Sequence, residues 1–222
     1  DEVGNSTAAP LACPGFVVDS QAPVISTLSA TRTKLSTVAN YNTTTLSFTI
    51  NEDVSAVDQG ARLVVGESMC PLSFVANDAG GVDASCTYTL EAGVPDGPLL
   101  VSAYAQDAAG NSTSATLNLT ADTTAPSLLS ATINQTAFKL GDTIVMAVTP
   151  SEPLQNELHP DLVVTGPEGV WNIPEQESTG SYVWQSTVTF DMAVGDYSCA
   201  VSLTDEVGNS TAAPLACPGF VV

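Results

Sequence analysis

The chain has 222 residues, of which 44% are hydrophobic, and its four Lys and Arg stand against 24 Asp and Glu for a formal net charge of −20. That charge repels nucleic acid and anionic membrane surfaces and loads the compact state with self-repulsion unless cations compensate it, so nucleic-acid partners are excluded and a divalent cation is a natural suspect. No run of eighteen apolar residues predicts a membrane span, and a single histidine, His159, with no Gly-x-Ser-x-Gly and no glycine-rich phosphate loop leaves enzymatic acyl or phosphoryl transfer without visible machinery.

The first eighteen residues, DEVGNSTAAPLACPGFVV from Asp1 to Val18, recur without mismatch at Asp205–Val222, an offset of 204 residues. Inside that period lie two shorter homologous units. DAAGNST at Asp107–Thr113 echoes DEVGNST at Asp205–Thr211, and the linkers DSQAP from Asp19 and DTTAP from Asp122 share a D-x-x-A-P core. The expected organisation is therefore residues 1–18 as the closing strand of a preceding repeat, or an exchanged strand, then 19–121 and 122–222 as two domains. Each is about 100 residues long, enough for a core of its own.

Short alternating runs rich in Thr, Ser and Val, broken by Gly, Pro, Asn and Asp at intervals of about eight to twelve residues, predict sandwiches. In chain order the predicted strands of the first unit are Val24–Thr31, Thr43–Ile50, Ala61–Val65, Met69–Val75, Ser85–Glu91, Leu99–Gln106 and Thr113–Thr120. Those of the second are Leu128–Ile133, Thr143–Thr149, Leu162–Thr165, Val170–Ile173, Tyr182–Phe190, Tyr197–Thr204 and Ala212–Phe220. The fold class is all-β, as tandem seven-stranded sandwiches.

Cys70 and Cys86 are placed symmetrically about the turn ANDAGG and are expected to face each other as a cross-strand disulfide. Trp171 and Trp184 hold the corresponding places in the second unit, as an aromatic pair instead of a bond. Cys199 and Cys217 share one face of the last hairpin and form the second expected bridge. Cys13, the copy of Cys217, is left without its partner and is either free or bonded between chains. Two bridges imply an oxidising compartment, extracellular or at the cell surface, and the lack of a C-x-x-C beside one histidine speaks against zinc.

The ordered set D-x-x-G-N followed by Ser or Thr, a strand, and then D-T-T-A-P resembles the bacterial Ig-like repeats of large surface adhesins and filament stalks, over both units. N-E-D at Asn51–Asp53 and S-E-P at Ser151–Pro153 are similar to that family's S-E-P-V. The resemblance implies Ig-like topology, in which the linker, the loop after the second strand and the loop before the seventh share one pole. Asp122, Glu152 and Asp205 would then converge, as would Asp19, Glu52 or Asp53, and Asp107. The facing pole of the preceding domain would add Glu67 and Asp96, up to five carboxylates around a joint, a hard oxygen set suited to Ca²⁺. A second reading of D-x-x-G-N needs no metal: Asp bonds its own backbone, Gly is left-handed and Asn closes a tight turn. Both stand at this point.

The expected function is a structural array, a stalk, adhesin shaft or surface filament, whose partners are neighbouring copies of the repeat in the same chain or head to tail. Asp1–Val18 would be able to enter another molecule and pair Cys13 with its Cys199. The alternative is a carbohydrate- or ligand-binding Ig-like module presenting Trp171, Trp184 or Tyr182 on an open face. Six N-x-S/T sequons begin at Asn5, Asn42, Asn111, Asn118, Asn134 and Asn209 and matter only if exported Asn is glycosylated.

Overall fold

The computed structural model describes Gly15 and residues 18–52, 60–155, 159–176 and 182–222. Cys13, Asp53 and nearly all of the duplicated opening segment lie outside the described residues. The strands of the first repeat are β1 (Ile25–Ala30), β2 (Lys34–Leu35), β3 (Thr43–Ile50), β4 (Ala61–Val65), β5 (Ser68–Cys70), β6 (Ser73–Ala76), β7 (Val82–Thr89), β8 (Gly97–Gln106) and β9 (Ser112–Ala121). Those of the second are β10 (Leu128–Ile133), β11 (Thr143–Pro150), β12 (Asp161–Gly166), β13 (Gly169–Trp171), β14 (Glu175–Gln176), β15 (Tyr182–Thr187), β16 (Asp196–Ser202) and β17 (Leu215–Val221). No helix occurs among the described residues.

Four sheets result, with strand orders β1-β3-β7-β6 and β2-β9-β8-β4-β5 in the first repeat, and β10-β11-β15-β14 and β13-β12-β16-β17 in the second. Strands adjacent in sequence are split between sheets in the same way both times, which is the Ig-like sandwich. Alternation drives it. In β3, TTTLSFTI buries Leu46, Phe48 and Ile50 while the intervening Thr and Ser stay at least partly accessible. In the second repeat Ile144, Met146 and Val148 of β11 meet Val164, Cys199 and Val201 from the other sheet in one core.

By compactness the chain forms two units. One comprises Asp1–Ser29, Ser47–Cys86 and Ser102–Thr116; the other comprises Ala30–Leu46, Thr87–Val101 and Leu117–Val222. The second unit thus holds the whole second repeat together with one end of the first.

The segment predicted as the fourth strand of the first repeat, 69–75, is instead two short strands on different sheets, while 170–173 of the second overlaps only β13, and β14 follows on the other sheet outside the predicted bounds. Pro71 between β5 and β6 and Pro174 just before β14 lack the N–H a continuous ladder needs, and the chain crosses over at both. This corrects the geometry expected for the first bridge. The β6–β7 register pairs Ser73 with Ser85 and Ala76 with Val82, so Cys70 is not opposite Cys86 on a hairpin. Cys70 pairs with Leu63 of β4, and its bond to Cys86 joins the two sheets across the core, with both residues 6% exposed. Cys199 and Cys217 are bonded directly across neighbouring strands, as expected.

Trp171 ends β13 opposite Val164 as Cys70 ends β5 opposite Leu63, and Trp184 lies on β15 in the opposing sheet. The tryptophans therefore fill the space between sheets from both sides and are not a hairpin pair. The Trp171 ring meets Tyr197 and Phe220 edge-on at 6.1 and 6.2 Å, while Trp184 is 4% exposed within the core. β2, which no alternation could reveal in two residues, runs parallel to β9 and pairs Lys34 with Thr120.

One slot filled by two chemistries gives a paired expectation. Cys70→Ala with Cys86→Ala should cost the first sandwich about 3 kcal/mol, the loop-closure value for a separation of this order. Trp184→Ala should cost the second about 3–5 kcal/mol through its cavity. Calorimetry of the full chain, resolving the two transitions, checks both.

Candidate metal centre

The turn between β8 and β9 and the turn between β16 and β17 are the same object. Asp107 Oδ1 accepts the Asn111 amide at 2.9 Å, and Asp205 Oδ1 accepts that of Asn209 at 2.9 Å. The asparagine carboxamides donate to the second aspartate oxygen at 2.8 and 2.7 Å. Gly110 and Gly208, at φ 93° and 83°, supply the left-handed residue that lets each loop close. The local turn read from D-x-x-G-N is thus present in full.

That turn also does something longer-ranged. Asn209 Nδ2 donates to the carbonyl of Asp122 at 2.9 Å, and Asn111 Nδ2 to that of Asp19 at 3.2 Å. One carboxamide therefore holds the turn aspartate and the linker aspartate together. Glu152 and Glu52 arrive from the loops after β11 and β3. The oxygens of Asp122, Glu152 and Asp205 lie within 4.8 Å of one another, and so do those of Asp19, Glu52 and Asp107.

Of the two further carboxylates expected at a joint, Asp96 accepts the Thr123 amide at 2.6 Å and its hydroxyl at 2.7 Å, together with the Thr124 hydroxyl. It ties down the linker and is not one of the three clustered groups. Glu67 is an exposed residue of the β4–β5 turn, and the described clusters form without it.

Electrostatics mark these clusters as crowded. Burial first, then repulsion from Asp205, raises the Asp122 carboxyl above its ordinary 3.8, with Lys34 opposing. Glu152 is raised above 4.5 by burial, Asp122 and Asp205, again opposed by Lys34. At Glu52 burial, Asp107 and Asp19 act in the same direction. The Asp107 carboxyl is held low, chiefly by the Asn111 carboxamide.

Sequence reasoning missed Lys34, one of four basic residues, because β2 was invisible. Its ammonium lies 2.9 Å from Glu206 and is raised first by that hydrogen bond. Within the same unit Ser36 Oγ donates to the Val207 carbonyl at 2.8 Å, and a Cβ on Gly208 would come 3.1 Å from the Tyr41 ring. The β16–β17 turn is buried under these residues, with Val207 3% exposed.

Of the aromatic residues named for the ligand-binding alternative, Trp184 is buried while Trp171 and Tyr182 are half-buried. Trp184 is core, Trp171 packs against the core, and Tyr182 meets His159 edge-on at 5.7 Å. Of the sequons, Asn209 is buried within its turn.

Neither protein-family models nor curated proteins match this chain. Among solved structures it is similar to an I-band fragment from titin, with 11% identity and a TM-score of 0.45 over 90% of this chain and 66% of that one. It is also similar to a tetra-tandem repeat in the extending region of a large adhesion protein, with 20% identity and a TM-score of 0.35 over 88% and 49%. For the ICAM-5 D1–D4 ectodomain fragment the values are 16%, 0.39, 93% and 49%. The chain thus spans two thirds or less of these structures.

Two outcomes are expected. Asn209→Ala, which orphans an Asp205 oxygen and the Asp122 carbonyl, should destabilise the second repeat by about 1–3 kcal/mol in urea titration. Because Asp122 and Glu152 take up protons more readily folded than unfolded, their contribution is fully present below the ordinary carboxylate range and is lost as pH rises through the raised values. In chelator, Tm should therefore rise as pH falls through the raised values toward the ordinary carboxylate range, and Glu152→Gln should reduce that rise.

Proposed function

We propose that this chain is a segment of an extracellular or cell-surface repeat array that spans distance and carries load, with Ca²⁺ stiffening its joints. The observation that carries the reading is the repeated triad of linker aspartate, loop glutamate and turn aspartate, tied to the linker by one asparagine. A turn needs only its own Asp, Gly and Asn; the recurrence of Asp19 with Glu52 and of Asp122 with Glu152 is unexplained by turn formation. The two disulfides support an oxidising location.

The donor set fits the ion. It is all hard oxygen with no His or Cys sulfur, and three carboxylates neutralise a divalent cation while waters and backbone carbonyls complete its shell. Asp122, Glu152 and Asp205 would hold one ion, and Asp19, Glu52 and Asp107 another. A bound ion removes the repulsion that raises the carboxyls and ties three loops to one point. The chain's own part is to keep the oxygens together beforehand, through the asparagine carboxamides.

Calcium added to chelated protein is expected to raise Tm by about 5 °C or more, as saturating a folded-state site does. Glu152→Gln together with Glu52→Gln, which spare the turn hydrogen bonds, should abolish the response. An unchanged Tm and an unchanged scattering-derived length on chelation would leave the acidic residues as turn formers and solubilisers only.

A further inference from the structure

The joint inside the second unit has a counterpart whose two halves are both bare. The β8–β9 turn has the hydrogen bonds of the β16–β17 turn, yet Ala108, Ala109 and Gly110 are exposed where Val207 is covered. In the second repeat, the connections β10–β11 and β15–β16 surround an apolar hollow of about 380 Å³ that includes Phe138 and Met192. Phe190 is 92% exposed there, Val194 86% and Leu140 48%. So much contiguous apolar surface marks an interaction site.

The corresponding positions have changed together. Lys34 pairs in parallel register with Thr120 of β9, and Ala137 pairs in the same way with Val221 of β17, so Ala137 stands where Lys34 stands. In the turns, Ala108 stands where Glu206 stands. The Lys34–Glu206 ion pair of the covered joint is therefore replaced by alanine on both bare surfaces, not on one. A second exchange runs alongside it. Asp96, just before Gly97, holds the linker threonines Thr123 and Thr124; Val194, just before Gly195, replaces the aspartate, and the linker after Asp19 has Ser20 and Gln21 in place of the threonines. Lys34 and Glu206 stay 43% and 40% exposed in their pair, so the joint replacement reflects matching of partner surfaces and not a burial cost, and it marks the two bare surfaces as mates.

We propose that the bare end of the second repeat is the docking surface for the Asp107–Asn111 turn of a further copy of this chain, joined head to tail. This joint is apolar, closed by Ala108 and Ala109 against Leu140, Phe190 and Val194, where the joint within the chain is charged. The inference rests on the array reading, and it adds that joints of two chemistries alternate along the array, so each turn fits only one kind of end.

The test uses the full chain with Cys13→Ser and an exposed reporter, Val194→Cys, alone or extended after Val222 by a second copy of residues 19–222, the continuation given by the 204-residue period. Alkylation of the reporter thiol by iodoacetamide under native conditions is expected to be about tenfold slower in the extended chain, because the tether holds the turn at high effective concentration. Ala109→Asp in the appended copy should restore the unextended rate. Ala108→Glu in the appended copy should restore it in part, and adding Ala137→Lys in the first copy should bring the protection back. Leu140→Cys repeats the measurement at a second position. Equal alkylation in both chains, with a scattering length that grows by the appended copy, overturns the docking surface and leaves the array standing. Equal alkylation with no gain in length overturns both.

Discussion

A single carboxamide, repeated once per sandwich, organises the polar end of this protein. The Asn209 side chain satisfies an oxygen of Asp205 and the carbonyl of Asp122 together, and Asn111 does the same for Asp107 and Asp19. The left-handed glycine lets the loop close, and without the asparagine the buried Asp205 and Asp107 carboxylates would lose a donor at the cost that attends an unsatisfied buried group. This bond ties each linker aspartate to the turn of the sandwich that it enters.

Charge then separates the two clusters. The chain is strongly acidic and concentrates three carboxylates at each linker, yet only the cluster around Asp122 has a lysine acting on it. Lys34 reaches it because β2 turns along the end of β9 and hydrogen-bonds to Glu206. A fixed ammonium offsets part of the repulsion at that cluster, and among the described residues none acts on the cluster around Asp19.

The cores show how one steric requirement accepts different chemistry. Where the first sandwich joins its sheets with Cys70–Cys86, the second fills the same positions with Trp171 and Trp184 and recruits Tyr197 and Phe220, which stack at 4.9 Å. Conversely, the second sandwich bonds Cys199 to Cys217, and the first keeps buried Val101 at the place of Cys199. Stability comes from a covalent restraint in one case and from aromatic burial in the other, so the repeats share a fold with low likeness in their cores.

Much of this was legible in the sequence. Period-two alternation marks β3, β4 and β10 at their observed bounds, because a half-buried strand must alternate. The duplicated turn motif locates both acidic clusters, since Asp, Gly and Asn at fixed spacing leave the backbone few choices. Cysteine positions on a hairpin gave Cys199–Cys217. What the sequence missed depends on which sheet a strand joins. Pro71 sends one predicted strand into two sheets, turning Cys70–Cys86 from a hairpin staple into a bridge between layers, and alternation is blind to that because both sheets face the same core. The roles of Lys34 and of the asparagine carboxamides were likewise beyond it: their partners lie 172 and 87 residues away in the chain, and only the folded chain brings groups that far apart within hydrogen-bonding distance.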